Sequence, residues 1–63
     1  MINVGDQVKI MSNGTYDEFN QDIIHHYDLG TIVTVISSHK DVLDVIDELG
    51  LVQTVDIKQV TKL

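Results

Sequence analysis

The stretch that decides the fold is TIVTVISS, residues 31–38. Its first six residues are all β-branched, and such side chains favour an extended backbone and pack well on a pleated sheet. Gly30 immediately precedes the run, and glycine is a common turn former where a strand begins. We therefore predict a strand that starts at residue 31.

Similar patterns lie on both sides of this stretch. At the N-terminus, Val8 and Ile10 alternate with Gln7 and Lys9, as in a strand with one buried face. Three more strand-like runs follow the central stretch: VLDVID (42–47), LVQTVD (51–56) and VTKL (60–63). Tight turns separate these later runs and predict antiparallel pairing. The sequence thus predicts one all-β domain, residues 1–63, in which five short strands close into a small barrel.

In order and spacing these runs resemble the SH3-like barrel group, including its small prokaryotic and phage members. The residues that carry the resemblance are VGDQVKI, GTIVTVI, VLDVI, VQTVD and IKQVTKL. The resemblance implies a long loop at 12–29, tight hairpin loops at 37–41 and 47–50, and one helical turn in DIKQ (56–59). Polyproline recognition does not carry over, because the chain has neither tryptophan nor proline.

A core follows from the predicted alternation of these strands. The long loop adds Phe19 and Ile23, which we expect to pack on the barrel as a lid. The predicted strand residues of the core are Val8, Ile10, Ile32, Val35, Leu43, Val45, Val52, Val55 and Val60.

The segment TYDEFNQDIIHHYDLG, residues 15–30, admits two interpretations. Tyr16, Phe19, Ile23 and Tyr27 are spaced as in an amphipathic helix, and Thr15-x-x-Glu18 fits a capping box. The barrel resemblance instead implies an irregular loop with one helical turn at most. Both interpretations stay open at this point.

The same segment contains the candidate binding residues Tyr16, His25, His26 and Tyr27. Tyrosine favours interfaces because it combines a large contact area with a polar tip. Loops on a rigid scaffold often carry function. We predict a protein-binding face here, with the alternative that both tyrosines only plug the end of the barrel.

The charge balance bears on the type of partner. Ten acidic residues face four lysines and no arginine, for a net charge of −6. Phosphate binding depends on lysine and arginine, so a nucleic-acid partner is disfavoured. It would require Lys9, Lys58 and Lys62 to gather on one face. No run approaches the ~20 apolar residues of a membrane span, and we expect a cytoplasmic protein.

No metal, cofactor or catalytic site is predicted. Without cysteine, disulfides and Cys-based zinc sites are excluded. Asp22 and His26 are four residues apart, but a zinc site needs three or four ligands, and His39 lies in a distant turn. Ser38-His39 has no orienting third group of the kind that nucleophilic catalysis requires. The acidic residues at 44, 47 and 48 look like solvated turn residues.

The predicted function is a stand-alone, non-enzymatic protein-binding module, an accessory protein of a phage or mobile element, present as a monomer or weak homodimer. The alternative is a barrel that binds nucleic acid or cell-wall glycan, with the tyrosines stacking on sugar rings.

Overall fold

Five antiparallel strands in a single sheet make up the fold. The computed structural model describes residues 1–14, 18–19 and 21–63. The strands are β1 (Gln7–Ile10), β2 (Ile32–His39), β3 (Val42–Ile46), β4 (Val52–Asp56) and β5 (Val60–Lys62). Their order in the sheet is β4-β3-β2-β1-β5, and every neighbouring pair is antiparallel. The predicted all-β class with five strands is confirmed. The sheet is not closed, because β4 and β5 are its two edges, so the predicted closure into a barrel is wrong. Membership of the SH3-like group stays a prediction.

The core lies on one face of this sheet and differs from the predicted core at two positions. Ile32 and Val52, both predicted inside, are 40% and 49% exposed. Val33 pairs with Val8 and takes the inward position on β2, and Gln53 does so on β4 by pairing with Val45. The buried apolar residues are Val8, Ile10, Tyr27, Val33, Val35, Leu43, Val45, Val55 and Val60.

Strand parity explains both errors. Successive side chains of a strand point to opposite faces, so two residues three apart cannot share a face unless a bulge lies between them. The predicted pairs Ile32 with Val35 and Val52 with Val55 break this rule. The pairing of β2 with β3 does contain one register shift, but it lies between Val35 and Ser37. It therefore cannot place Ile32 and Val35 on the same face.

The chain between β1 and β2, residues 11–31, is called here the long segment. Its described residues contain no helix, so the helical interpretation is wrong for 21–30. Thr15 and Tyr16 of the proposed helix lie outside the described residues. Phe19 is 85% exposed, so its predicted place in a lid is wrong, whereas Ile23 is half-buried. Among the described aromatic residues, it is Tyr27 whose ring enters the core.

A short helical turn before β5 anchors the long segment. The predicted turn is present as a 3-10 helix, Ile57–Gln59, capped by the Asp56 side chain. Gln59 is fully buried. Its Oε1 accepts from the Asp56 amide at 2.8 Å, and its Nε2 donates to the Ile23 carbonyl at 2.6 Å. Its carbonyl accepts from the amides of Met11 and Ser12. One glutamine therefore joins both arms of the long segment to the sheet.

Candidate functional site

The four predicted binding residues do not form one surface. His25 and Tyr27 are only 3% and 4% exposed, so neither side chain lies on the protein surface, and the burial of Tyr27 agrees with the alternative that this tyrosine only packs inward. His26 is exposed, and Tyr16 lies outside the described residues. Burial alternates along residues 25–27, with 25 and 27 buried and 26 exposed, as the alternating side chains of an extended chain would be.

Tyr27 connects the long segment to the hairpin between β3 and β4. Its hydroxyl donates to the Leu51 carbonyl at 2.6 Å, with the Val45 carbonyl at 3.3 Å. Burial, together with the nearby carboxylate of Asp47, raises the pKa of Tyr27 above its ordinary value, and a backbone hydrogen bond from Gln53 opposes this. The phenol therefore acts as a neutral structural anchor.

His25 serves the same structural purpose within the long segment. Its Nε2 donates to the Ser12 carbonyl at 2.6 Å, and its Nδ1 accepts from the Tyr27 amide at 3.2 Å. A carbonyl can only accept and an amide N–H can only donate, so these two bonds match the neutral ring with its proton on Nε2. Asn13 adds a third tie, donating from Nδ2 to the Tyr27 carbonyl at 2.7 Å.

Next to these anchors lies an open cleft of about 520 Å³ between residues 26–31 and the β3–β4 turn at 47–51. Two local turns shape it. Thr31 closes one by donating from Oγ1 to the Asp28 carbonyl at 2.6 Å. Asp47 closes the other, since its Oδ1 accepts from the amides of Leu49 and Leu51. The lining residues are His26, Tyr27, Asp28, Thr31, Ile32, Asp47, Glu48, Leu49 and Leu51.

Apolar side chains stand exposed around this cleft. Leu49 is 88% exposed at the tip of the turn, and Leu51 and Ile32 are about half-exposed beside it. An exposed leucine on its own needs no explanation, but several around a concavity are typical of an interaction site. The predicted tight turn at 47–50 is present, yet no sequence pattern indicates that its leucines line a cleft with the segment that carries His26.

The cleft is also acidic. Asp28, Asp47 and Glu48 line it, and none of its lining residues, all of them in the described part of the chain, is lysine. The sequence predicts Asp47 and Glu48 to be solvated residues of a hairpin turn. Asp28 is not among the predicted site residues, because the turn that brings it near Asp47 and Glu48 forms only when the long segment folds.

Two of the lysines that nucleic-acid binding would require contact carboxylates. Lys58 Nζ lies 2.7 Å from Asp22 Oδ1, and this hydrogen bond raises the pKa of Lys58. Lys62 Nζ lies 3.3 Å from Asp6 Oδ2. Two of the three lysines on which such binding was predicted to depend are therefore paired with carboxylates.

Within the described residues, no group of three or more histidines and carboxylates could hold a metal ion. Asp22, a candidate ligand with His26, contacts Lys58 instead. No helix in the described part of the chain is long and apolar enough to cross a membrane.

Comparison with known proteins identifies no relative: no family model, no curated protein and no solved structure matches this chain.

Proposed function

We propose that this chain is a non-enzymatic protein-binding module whose contact surface is the cleft between residues 26–31 and 47–51. The observation that carries the proposal is the exposure of Leu49, Leu51 and Ile32 around one concavity. Water contact with these side chains is unfavourable, and a partner that covers them recovers that free energy. Of the residues predicted from sequence, His26 lines this cleft, and Tyr27 supports it from the core.

The surroundings of the cleft support a binding role as well. Both of its walls are fixed by hydrogen bonds, through Tyr27 to Leu51 on one side and through Asp47 on the other. A preorganised surface loses less conformational entropy on binding. An accessory role in a phage or mobile element and a cytoplasmic location stay predictions from the sequence.

The alternative of glycan binding is weaker. Stacking on a sugar ring requires an exposed aromatic face, and Tyr27, the tyrosine that lines the cleft, is buried. A nucleic-acid ligand is disfavoured by the carboxylates of the cleft.

The test is a pull-down from a cell lysate. Three forms of the full chain serve as bait: wild type, a cleft variant and a control variant. The cleft variant carries Leu49→Ser and Leu51→Ser, and the control carries Val4→Ser and Leu63→Ser. Val4 and Leu63 are comparably exposed apolar residues that do not line the cleft. We expect proteins retained by wild type and control to bind the cleft variant at least about tenfold more weakly, as for a central interface residue.

Circular dichroism checks that all three baits are folded. A partner that binds all three baits equally would place the contact surface elsewhere. Failure of wild type to retain any protein specifically would count against the module itself.

A further inference from the structure

We infer that the partner of this cleft is a short segment that places lysine or arginine next to a leucine or isoleucine side chain. This inference rests on the proposed function and specifies the chemistry of its ligand.

The charge of the cleft favours a cationic ligand. Asp28, Asp47 and Glu48 bring three carboxylates to one concavity, and the whole chain carries a net charge of −6. A concave surface lined by one sign of charge concentrates the opposite charge and speeds association. A cationic ligand is attracted, whereas an acidic one is repelled.

Hydrogen bonds hold one of these three carboxylates, that of Asp47, in place. Asp47 Oδ1 accepts from the amides of Leu49 and Leu51 at 3.0 and 2.8 Å, which orients the carboxylate within the turn. The field of Asp47 also reaches the cleft wall, since it contributes to raising the pKa of Tyr27. An oriented carboxylate loses less side-chain freedom on pairing with a cation than a mobile one does.

The exposed apolar side chains around the cleft favour a ligand that also carries an apolar group. Leu49, Leu51 and Ile32 border the same cleft as the carboxylates. A purely cationic ligand would leave these side chains in water, and a purely apolar one would leave the carboxylates uncompensated. Only a ligand with both features matches the whole surface.

The size of the cleft limits how much of the partner enters. A volume of about 520 Å³ lies in the range that accommodates a small ligand. It therefore fits a few side chains of an extended segment. A contact this small is expected to be weak and transient.

A second copy of the chain is a poorer occupant. A two-fold interface through this cleft would bring identical acidic surfaces together. Of the four lysines that could compensate, Lys58 and Lys62 already pair with Asp22 and Asp6.

The test uses the full isotope-labelled chain and three blocked peptides of equal length. One alternates lysine with leucine, one glutamate with leucine, and one lysine with serine. The backbone amide signals of Asp28, Leu49 and Leu51 report on the cleft. We expect the lysine–leucine peptide to shift these signals at the lowest concentration, and to bind more weakly when salt rises from about 50 to about 300 mM.

Two charge variants sharpen the result. The cleft variant carries Asp28→Asn and Glu48→Gln, and the control carries Asp41→Asn and Asp44→Asn, which removes the same charge outside the cleft. We expect the cleft variant to bind the lysine–leucine peptide about fivefold more weakly than wild type, and the control to bind like wild type.

Other outcomes overturn the inference. If the glutamate–leucine or lysine–serine peptide binds the cleft equally well, or if the two charge variants behave alike, the partner's chemistry is wrong while the cleft remains a binding site. If no peptide moves the cleft signals, the proposed contact surface fails as well. Signals that move with protein concentration alone would identify a second copy as the occupant.

Discussion

The sheet and the long segment are held together by different interactions. The sheet depends on a repeated pattern, in which alternate apolar side chains enter the core and backbone hydrogen bonds join each strand to its neighbours. The long segment depends on individual side chains, above all His25, Tyr27, Asn13 and Gln59, that bond to particular backbone groups. A core built on a repeated pattern tolerates many conservative substitutions. In contrast, losing one buried side-chain hydrogen bond leaves its backbone partner unsatisfied.

The largest effect should come from opening a cavity in the sheet. Leu43 of β3 is fully buried, and Leu43→Ala should lower the free energy of unfolding by about 2–5 kcal/mol. A chain of this length is stable by only about 3–9 kcal/mol, so this loss is a large fraction of the total free energy of unfolding. Urea denaturation measures the change. Val52→Ala, on the exposed side of β4, is the control and should cost under about 1 kcal/mol. Equal costs would contradict the assigned faces.

Replacing one polar residue that holds the long segment, Gln59, should destabilise the protein almost as much. Gln59→Met keeps the side-chain length but leaves the Ile23 carbonyl and the Asp56 amide without their bonds. We expect a loss of about 2–3 kcal/mol in the free energy of unfolding, measured in urea.

Gln53→Met provides the matched control for that glutamine. Gln53 Oε1 accepts from the His26 amide, but its buried Nε2 has no hydrogen-bond partner among the described residues. Removing an unpartnered polar group offsets the lost bond, so this change should be close to neutral. If both substitutions lower the free energy of unfolding equally, the hydrogen bonds of Gln59 do not hold the long segment to the sheet in the way described.

A smaller effect is expected at the contact between the two regions. Tyr27→Phe removes the hydroxyl that bonds to Leu51, at a cost of about 1 kcal/mol near neutral pH. The cost should shrink at alkaline pH. Because the folded-state pKa of Tyr27 is raised, its contribution is complete below the ordinary value of 10.0 and is lost as pH rises through the folded-state pKa.

Unfolding measured from about pH 8 to about pH 11 should therefore show wild-type stability falling faster than that of the variant. Tyr16 is common to both proteins, so its ionisation affects the two curves alike. Parallel curves would mean that Tyr27 ionises as easily in the folded chain as in the unfolded one.

The smallest effect lies at the β2–β3 turn, within the sheet itself. Lys40 has a φ of 57°, which is unfavourable for a residue with a side chain. Lys40→Gly should raise the free energy of unfolding by about 0.5 kcal/mol. Asp41→Gly next to it, where φ is not positive, should lower it by about as much. Thermal unfolding of both variants checks the opposite signs.

Most of the sheet could be predicted from sequence, and the errors have one cause. All five strands and the 3-10 turn lie where the runs of β-branched residues and turn residues indicate. Ile32 and Val52 are apolar, but the parity of their strands places both on the exposed face of the sheet. Lys9 opposite Ile32, and Gln53 beside Val52, show that the pairing of neighbouring strands decides which face is buried.

The candidate site could be predicted only in part. A surface on the long segment was predicted, and His26 and Tyr27 do line the cleft, but the side chains of His25 and Tyr27 are buried. The helical spacing of Tyr16, Phe19, Ile23 and Tyr27 was misleading, because residues 21–30 are not helical and Phe19 is exposed. The leucines of the β3–β4 turn carried no sequence signal of their own.

The sequence by itself determined the all-β class, the approximate strand bounds and the acidic charge, since these depend on local composition and on a period of two residues. Only the tertiary structure decided that Gln59 would hold the long segment, that Tyr27 would enter the core, and that Asp28 would lie across a cleft from Leu49. Those contacts join residues far apart in the chain through single hydrogen bonds and turns. No periodicity encodes them, so they exist only once the sheet has brought their partners together.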